Sequence, residues 1–473
     1  MKNKRSIAMA AAMVFGLMAF NGCAALTRDE GGSSDKAQAT LTFSNSAITA
    51  QGGSGYEIDG TDVTISESGT YVLKGSCSDG SVLVEKGTKG VTLVLDGLEL
   101  KSADTAPIVI GKSCETTIEV SEDSVNSLED DASNNDETNA DNKNAENAVI
   151  KCKDGSAVSI CGGGMLKITA NGKNGIKSGS TTDEEGEASL TISEANIEID
   201  APVNDAINAE QLLVIESGKL DISAKDDGIH SDLGLVIGAE GSDGPTINIA
   251  QSYEGLEGAS IDIYSGDITI ESSDDCINAA NSQLKDYDFS LNIAGGTIDA
   301  RSSGGDGFDS NGSLTISGGD VTVWTANGAD DQPLDADGTI TVSGGTVLAA
   351  GASGGMGMNV SAEQAFISLN AQDTQDSGER TALISQGSEF EIKDSSGSVH
   401  LSGSAVYDAR FVFFSSAQLV KDGEYSISAS QEDESKATAQ SGTVKIGSGG
   451  MMNGGMPQAS KMNRLAALSS QQA

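Results

Sequence analysis

Acidic residues recur in one short phrase along the middle of the chain, and their spacing is the first feature that bears on chemistry. The phrase reads NGIKSG at 174–179, DAINAE at 205–210, DGIHSD at 227–232, EGLEGA at 254–259, DCINAA at 275–280 and DGFDSN at 306–311, then degenerates to PLDAD at 333–337 and GMNV at 357–360. If successive copies stack, two columns arise, with neighbours roughly 4.8 Å apart. One column precedes an apolar residue and holds Asp205, Asp227, Glu254, Asp275 and Asp306; the other follows it and holds Asn208, His230, Glu257, Asn278, Asp309 and Asp335. Adjacent like charges on a sheet are destabilising. Either water, salt and protonation relieve them, or a hard cation bridges neighbours. Calcium suits the second case, because it accepts six to eight oxygens from carboxylates, amides and backbone carbonyls in flexible geometry. The candidate ligands are Asp226, Asp227, Glu254, Glu257, Asp274, Asp275, Asp306, Asp309, Asp331 and Asp335, with the acidic pairs Asp226–Asp227 and Asp274–Asp275 favoured. The competing structural role is that Asp and Asn shape the corner by bonding to their own backbone in Asx turns.

Those columns need a scaffold that returns to the same place at each copy. Between the phrases, apolar residues occur in pairs two apart, separated by a small pair that is often Gly-Gly: Leu190, Ile192, Ile197 and Ile199; Leu213, Ile215, Leu220 and Ile222; Ile261, Ile263, Ile268 and Ile270; Leu291, Ile293, Ile298 and Ala300; Leu314, Ile316, Val321 and Val323; Ile340, Val342, Val347 and Ala349. An offset of two predicts strand, and the constant break predicts a corner. The apolar residue of the phrase (Ile176, Ile207, Ile229, Leu256, Ile277, Phe308, Leu334, Met358) gives a third inward side. A unit of roughly two dozen residues cannot bury such a face alone, so it stacks on its neighbours. The expected fold is all-β, a right-handed single-stranded parallel β-helix with capped ends.

Composition agrees with stacked coils. The 473 residues include 59 glycines and 5 prolines but only 4% aromatics, which suits Ile, Val, Leu and Ala turning on Gly. Lysine and arginine total 28 against 70 aspartates and glutamates, a net charge of −42. No basic stripe exists to neutralise phosphates, so nucleic acid is excluded as a partner. Such acidity keeps an exported protein soluble, or it marks a demand for cations.

In chain order, residues 1–23 have a basic start and a short apolar run, the pattern of an export signal rather than a spanning helix. Cys23 after Gly22 stands where a lipoprotein cysteine would, with ordinary cleavage near Ala25 as the alternative, and 24–39 is a tether. Residues 40–128 alternate with period two and are expected as N-terminal coils or a cap. Residues 129–147 lack any apolar side chain beyond Ala and are expected as a mobile acidic insertion. The repeat core spans 148–360, C-terminal capping strands 361–446, and a disordered Gly/Met tail 447–473. Among the remaining cysteines (Cys77, Cys114, Cys152, Cys161, Cys276) there is no CxxC pair, so zinc is not expected. They read as buried small hydrophobes, although an exported location permits a Cys152–Cys161 disulfide. His230 reads as a polar member of its stack.

SGTYVLKG at 68–75, VTLVLDGLEL at 91–100, VNSLED at 125–130, DDGIHSD at 226–232, GGDGFDSNGSLTISGG at 304–319 and VKDGEYSIS at 420–428 together resemble a family of secreted bacterial carbohydrate-binding proteins of parallel β-helix fold, found on polysaccharide-degrading clostridia and relatives. The resemblance covers most of residues 40–450. It implies calcium binding and attachment to acidic plant polysaccharide such as polygalacturonate, and to cellulose, at the cell surface and without catalysis. A monomer is expected, meeting the membrane only through a lipid on Cys23. The polysaccharide-binding candidates are Tyr253 and Trp324, whose rings either stack on sugars or are ordinary strand-face residues, and the cationic Lys225 and Arg301.

Two other classes compete. SDDCIN at 273–278 is similar to a phrase of polygalacturonases, in which paired carboxylates cleave the glycosidic bond, but no GHG and no Arg-x-Lys follow it. A lyase would need calcium and a base, for which Lys225 and Arg301 are available. A structural surface protein or adhesin would use the stacked face against another protein.

Overall fold

A computed structural model describes residues 37–180, 188–326, 331–351, 358–371, 382–430 and 434–446. Among them the protein is all β, with 38 strands and no helix. A single large sheet takes 34 strands, and a separate sheet takes four. The export signal, Cys23 and the tail at 447–473 lie outside the described residues.

The large sheet is built by parallel pairing of each strand with the equivalent strand one coil further on. On one side, Met165–Thr169 pairs with Ala195–Ala201, and the series continues through Gly218–Ala224, Thr246–Gln251, Asp267–Ser272, Thr297–Ser302 and Asp320–Thr325 to Thr346–Gly351. A second ladder passes through Ala157–Cys161, Ala188–Ser193, Leu212–Ile215 and Ile340–Val342 and reaches Met358–Asn370. The third, which carries the acidic phrase, joins Asn174–Ser178, Ile207–Ala209, Ile229–Ile237, Leu256–Ile263, Ile277–Ala279 and Phe308–Ser310. Leu291, Leu314 and Ile340 share one column, and Ile298, Val321 and Val347 another, as the constant offsets require.

Every residue of the six apolar sets is at most 2% exposed, so each coil contributes its aliphatic side chains to one interior shared with the coils before and after. Burial of each Leu or Ile is worth about 1.5–3 kcal/mol, and charge placed there would be buried without a partner. Glycine fixes the corner between the paired strands. Gly319 and Gly345 have φ of +85° and +78°, and a Cβ on either would come within 2.7 Å and 2.5 Å of the carbonyl oxygens of Gly296 and Gly319 one coil below.

The N-terminal strands belong to the same sheet. Ile108–Ile110, Glu115–Val120 and Val125–Asp130 pair in parallel with Ala148–Cys152, Ala157–Cys161 and Met165–Thr169, so the coils continue unbroken across the acidic insertion. The first coil ends in antiparallel pairings of Ala39–Phe43 with Thr49–Gly52 and of Tyr56–Asp59 with Asp62–Ile65. The far end is closed by Phe411–Ser415, antiparallel to both Thr346–Gly351 and Met358–Asn370. The four-stranded sheet then packs a second apolar cluster against Trp324, Leu348 and Ile367. Both devices cover strand edges that would otherwise offer unpaired backbone groups.

The acidic insertion differs from the loop that its composition predicts. Asn134 is fully buried, donating to Asp130 at 2.8 Å and to the Ala148 carbonyl at 2.9 Å and accepting from the Glu146 and Asn147 amides. Asn135 donates to the Gly172 carbonyl at 2.9 Å. Amide side chains thus dock the segment where apolar ones would normally do so, and burial pushes the Asp130 carboxyl up to about 6. The cysteines also differ in part. Cys77, Cys114, Cys152 and Cys276 are buried free thiols, so the Cys152–Cys161 pair that an exported location permits is not formed.

Candidate functional site

The acidic phrase lies at the corner leading into the third ladder, and its two columns form. In the column after the apolar residue, Asn208 faces His230, His230 faces Glu257, Glu257 faces Asn278, and Asn278 faces Asp309. In the column before it, the Ala206, Gly228, Gly255 and Cys276 amides donate to the carbonyls of Asp227, Glu254, Asp275 and Asp306, each one coil on. The glycine of the phrase is required by that approach. A Cβ on Gly255 would lie 2.4 Å from the Cys276 carbonyl oxygen.

Several carboxylates of the first column have a structural role, but with the next coil rather than in their own turn. Asp275 accepts the Asp306 amide at 2.7 Å, Asp306 accepts the Gln332 amide at 2.6 Å, and Asp205 accepts the Asp227 amide at 3.2 Å. Each such bond occupies one carboxylate oxygen of a group sunk in the corner.

Three groups of side chains bring their ligand atoms within 4.8 Å of one another: Asp205 with Asp226 and Asp227; Asp227 with His230 and Glu257; and Asp306 with Asp309 and Asp335. Six of the ten expected ligands are therefore assembled. Asp205, read above only as a column member, joins them, and so does His230. Glu254 instead accepts both hydrogen bonds of the Asn278 amide nitrogen at 3.1 Å. Asp274 accepts the Tyr253 hydroxyl, Asp275 holds the next coil, and Asp331 is half-buried outside the three groups.

The groups differ in electrostatics. His230 Nδ1 meets Asp227 at 3.2 Å and also Glu257, while Nε2 meets Asp232 at 3.0 Å. Burial alone would lower the imidazole, but hydrogen bonds to Asp227, Asp232 and Glu257 carry it upward, so His230 is an imidazolium inside the stack. Burial raises Asp227, and the His230 hydrogen bond opposes that rise. Burial and then the Asp227 charge raise Asp205. Asp306 is pushed up to about 9 by burial and by the charges of Asp275 and Asp309, against one backbone donor from Gln332.

The two all-oxygen groups fit a hard cation. Asn278 adds a further oxygen: its Oδ1 is buried with no hydrogen-bond partner, on the rung facing Asp309. Its Nδ2 is committed to Glu254, so the planar amide aims Oδ1 elsewhere. Asp227, His230 and Glu257 do not fit calcium, because a protonated imidazole offers donors where an ion needs acceptors.

The sugar candidates separate. Tyr253 is 43% exposed, and Lys225 is exposed beside Asp226, with no ion pair among the described residues. The Tyr253 amide donates to the Asp226 carbonyl at 2.7 Å and the Asp274 amide to the Tyr253 carbonyl at 2.9 Å, which stacks the ring within the acidic edge. Arg301 is engaged by Asp299 through two bonds of 2.7 and 3.1 Å and by Glu271 at 3.0 Å, which restricts it as a sugar or substrate contact. Trp324 is a correction: it is 2% exposed and packs on Phe390, because the four-stranded sheet covers its strand, so it offers no face to a sugar. A cavity of ≈ 390 Å³ lies instead among the first coils, lined by residues including Asp62, Asp79 and Asp104.

A family model described as "Carbohydrate-binding domain-containing protein" matches residues 59–355, more than half of the chain. The chain belongs to this family. A carbohydrate-binding domain-containing protein of Acetivibrio thermocellus is 29% identical over 121 residues, an alignment covering 25% of this chain and 42% of the relative. The chain thus spans less than half of that relative's length. Among solved structures, a polysaccharide lyase-like protein from C. thermocellum, as a gadolinium derivative, is 23% identical with a TM-score of 0.36, covering 64% of this chain and 96% of its own. A likeness at that TM-score carries no argument for fold or chemistry here. What this family member does with its acidic edge follows from its own residues.

Proposed function

We propose that this protein is a right-handed parallel β-helix that binds acidic polysaccharide of the polygalacturonate type through calcium ions held on its acidic edge, without cleaving it. The handedness follows the rule that crossovers between parallel strands of one sheet are right-handed. The observation that carries the function is the pair of all-oxygen groups, Asp205 with Asp226 and Asp227, and Asp306 with Asp309 and Asp335, at equivalent corners along one edge. A protein of net charge −42 repels a polyanion. Divalent cations between the two sets of carboxylates reverse that repulsion, and repetition along the coil supplies several weak contacts whose affinities combine. Tyr253 adds a ring on the same edge. Cellulose, a neutral glycan, would depend on such stacking rather than on calcium.

An acid–base pair for hydrolysis is not favoured by this site, because the His230 proton is held by three carboxylates and the Arg301 guanidinium by two. The chain is read as exported and anchored at the cell surface through Cys23. Retention of the purified protein on pectate, with the supernatant analysed for products, tests the reading. Retention in calcium and release in chelator, with no new oligosaccharides, is expected. Unsaturated products would make it a lyase, with Lys225 beside Asp226 the first residue to replace.

A further inference from the structure

The column after the apolar residue does not begin with the acidic phrase. Asn208 faces Lys177 on the preceding coil, and Lys177 faces Lys151 on the one before that. One face therefore runs from two stacked lysines, through an amide and an imidazolium, to carboxylates.

The two lysines differ from six others of the chain. Lys101, Lys112, Lys153, Lys167, Lys173 and Lys219 each hold a carboxylate at 2.5 to 2.6 Å. Lys177 reaches Glu210 only at 3.6 Å, beyond hydrogen-bond distance, and Lys151 has no ion pair among the described residues. Both side chains are half-buried. Stacked like charges on adjacent strands are unfavourable. Burial, and then the charge of Lys177, lower Lys151, with Glu210 and Glu146 as the acidic groups opposing that fall. Among the described residues, no carboxylate closes on this pair as carboxylates close on those six lysines. An anion set between the two ammonium groups would meet what both lack.

We propose that Lys151 and Lys177 bind a carboxylate of the polysaccharide directly, without a metal ion. This rests on the acidic-glycan reading above and divides that surface into two kinds of contact. At one end of the column a uronate meets ammonium groups; further along, its neighbours meet carboxylates through calcium.

The test uses the full chain in saturating calcium with polygalacturonate as the titrant. Replacing both lysines (Lys151→Gln with Lys177→Gln) is expected to weaken binding about tenfold, the scale of one charge-assisted hydrogen bond. The arginine pair (Lys151→Arg with Lys177→Arg) is expected to retain most of the affinity. The calcium-induced rise in thermal midpoint should be unchanged in both, since neither residue is a cation ligand. Unchanged affinity in a folded glutamine pair overturns the proposal. Should that variant fail to fold, the wild-type protein still decides it by lysine-selective NMR. In excess chelator, short oligogalacturonates should shift the Lys151 and Lys177 signals, and carboxyl-reduced oligosaccharides should not; no shift with either overturns the proposal. Pectate binding that depends on the lysines but not on calcium would sink the bridging reading alone, and binding that depends on calcium but not on the lysines would sink this one alone.

Discussion

The two ends of the acidic edge meet the same problem in different ways. Around Asp227 the stack contains its own cation, because the residue after the apolar position is His230, and its ring spans Asp227, Asp232 and Glu257. Around Asp306 the equivalent position is Asp309, and the groups acting on Asp306 are burial and further carboxylates, opposed by one backbone amide. Both sites come from one phrase, DGIH against DGFD. The exchange of His for Asp at the last position of the phrase thus separates a corner that carries its own cation from one that does not. The oxygens of Asp226 and Asp205 extend the first corner, so that it too gathers three carboxylates.

The largest expected effect is on the self-neutralised corner. His230→Gln removes a buried charge while leaving its partners, which costs about 3 kcal/mol of stability in chelator. Thermal unfolding should show the loss, and calcium should restore part of it. If the midpoint does not move, His230 is not the internal cation.

Next in size is the effect at the Asp306 corner. Asp306→Asn with Asp309→Asn should abolish most of the calcium-induced rise in midpoint, whose scale is about 2.7 kcal/mol at a hundredfold excess over the dissociation constant. Asp227→Asn should remove less. Equal losses from the two variants would erase the contrast between the corners.

A smaller effect is expected with pH in calcium-free protein. The folded Asp306 carboxyl stands at about 9 against 3.8 unfolded, so between those values the folded state binds more protons than the unfolded. Its contribution is therefore most favourable at low pH and is lost as pH rises through that window. The midpoint should fall as pH rises, and Asp306→Asn should flatten the slope. The smallest effect is expected at Tyr253→Ala, about 1 kcal/mol of glycan affinity lost with the ring, read by titration with stability unchanged.

Much of this was legible in the residues. Pairs such as Leu291 with Ile293 and Ile298 with Ala300 dictate strands and a corner, because alternation and break recur at constant offsets. Alignment of the phrase placed His230 beside Glu257 and Asn278 beside Asp309, since parallel register follows directly from repeat register. What the residues did not show depends on contacts distant in sequence or on side-chain direction. Trp324 looks like an outward ring on its strand until strands from beyond residue 388 cover it. Arg301 looks available until Asp299, two residues away on the same face, takes its guanidinium. The insertion at 129–147 looks unable to dock because its anchors, Asn134 and Asn135, are polar. Lys151 and Lys177 attract no notice in a search for acidic columns, although the register places them on the same face.

The central claim is that calcium sits between protein carboxylates and glycan carboxylates. Calorimetric titration of calcium into chelator-stripped protein, with and without saturating oligogalacturonate, tests it directly, because coupling between two ligands is reciprocal. The account predicts saturable calcium binding that tightens when the oligosaccharide is present, and loss of that tightening in Asp306→Asn with Asp309→Asn. Calcium affinity identical with and without the oligosaccharide would contradict it.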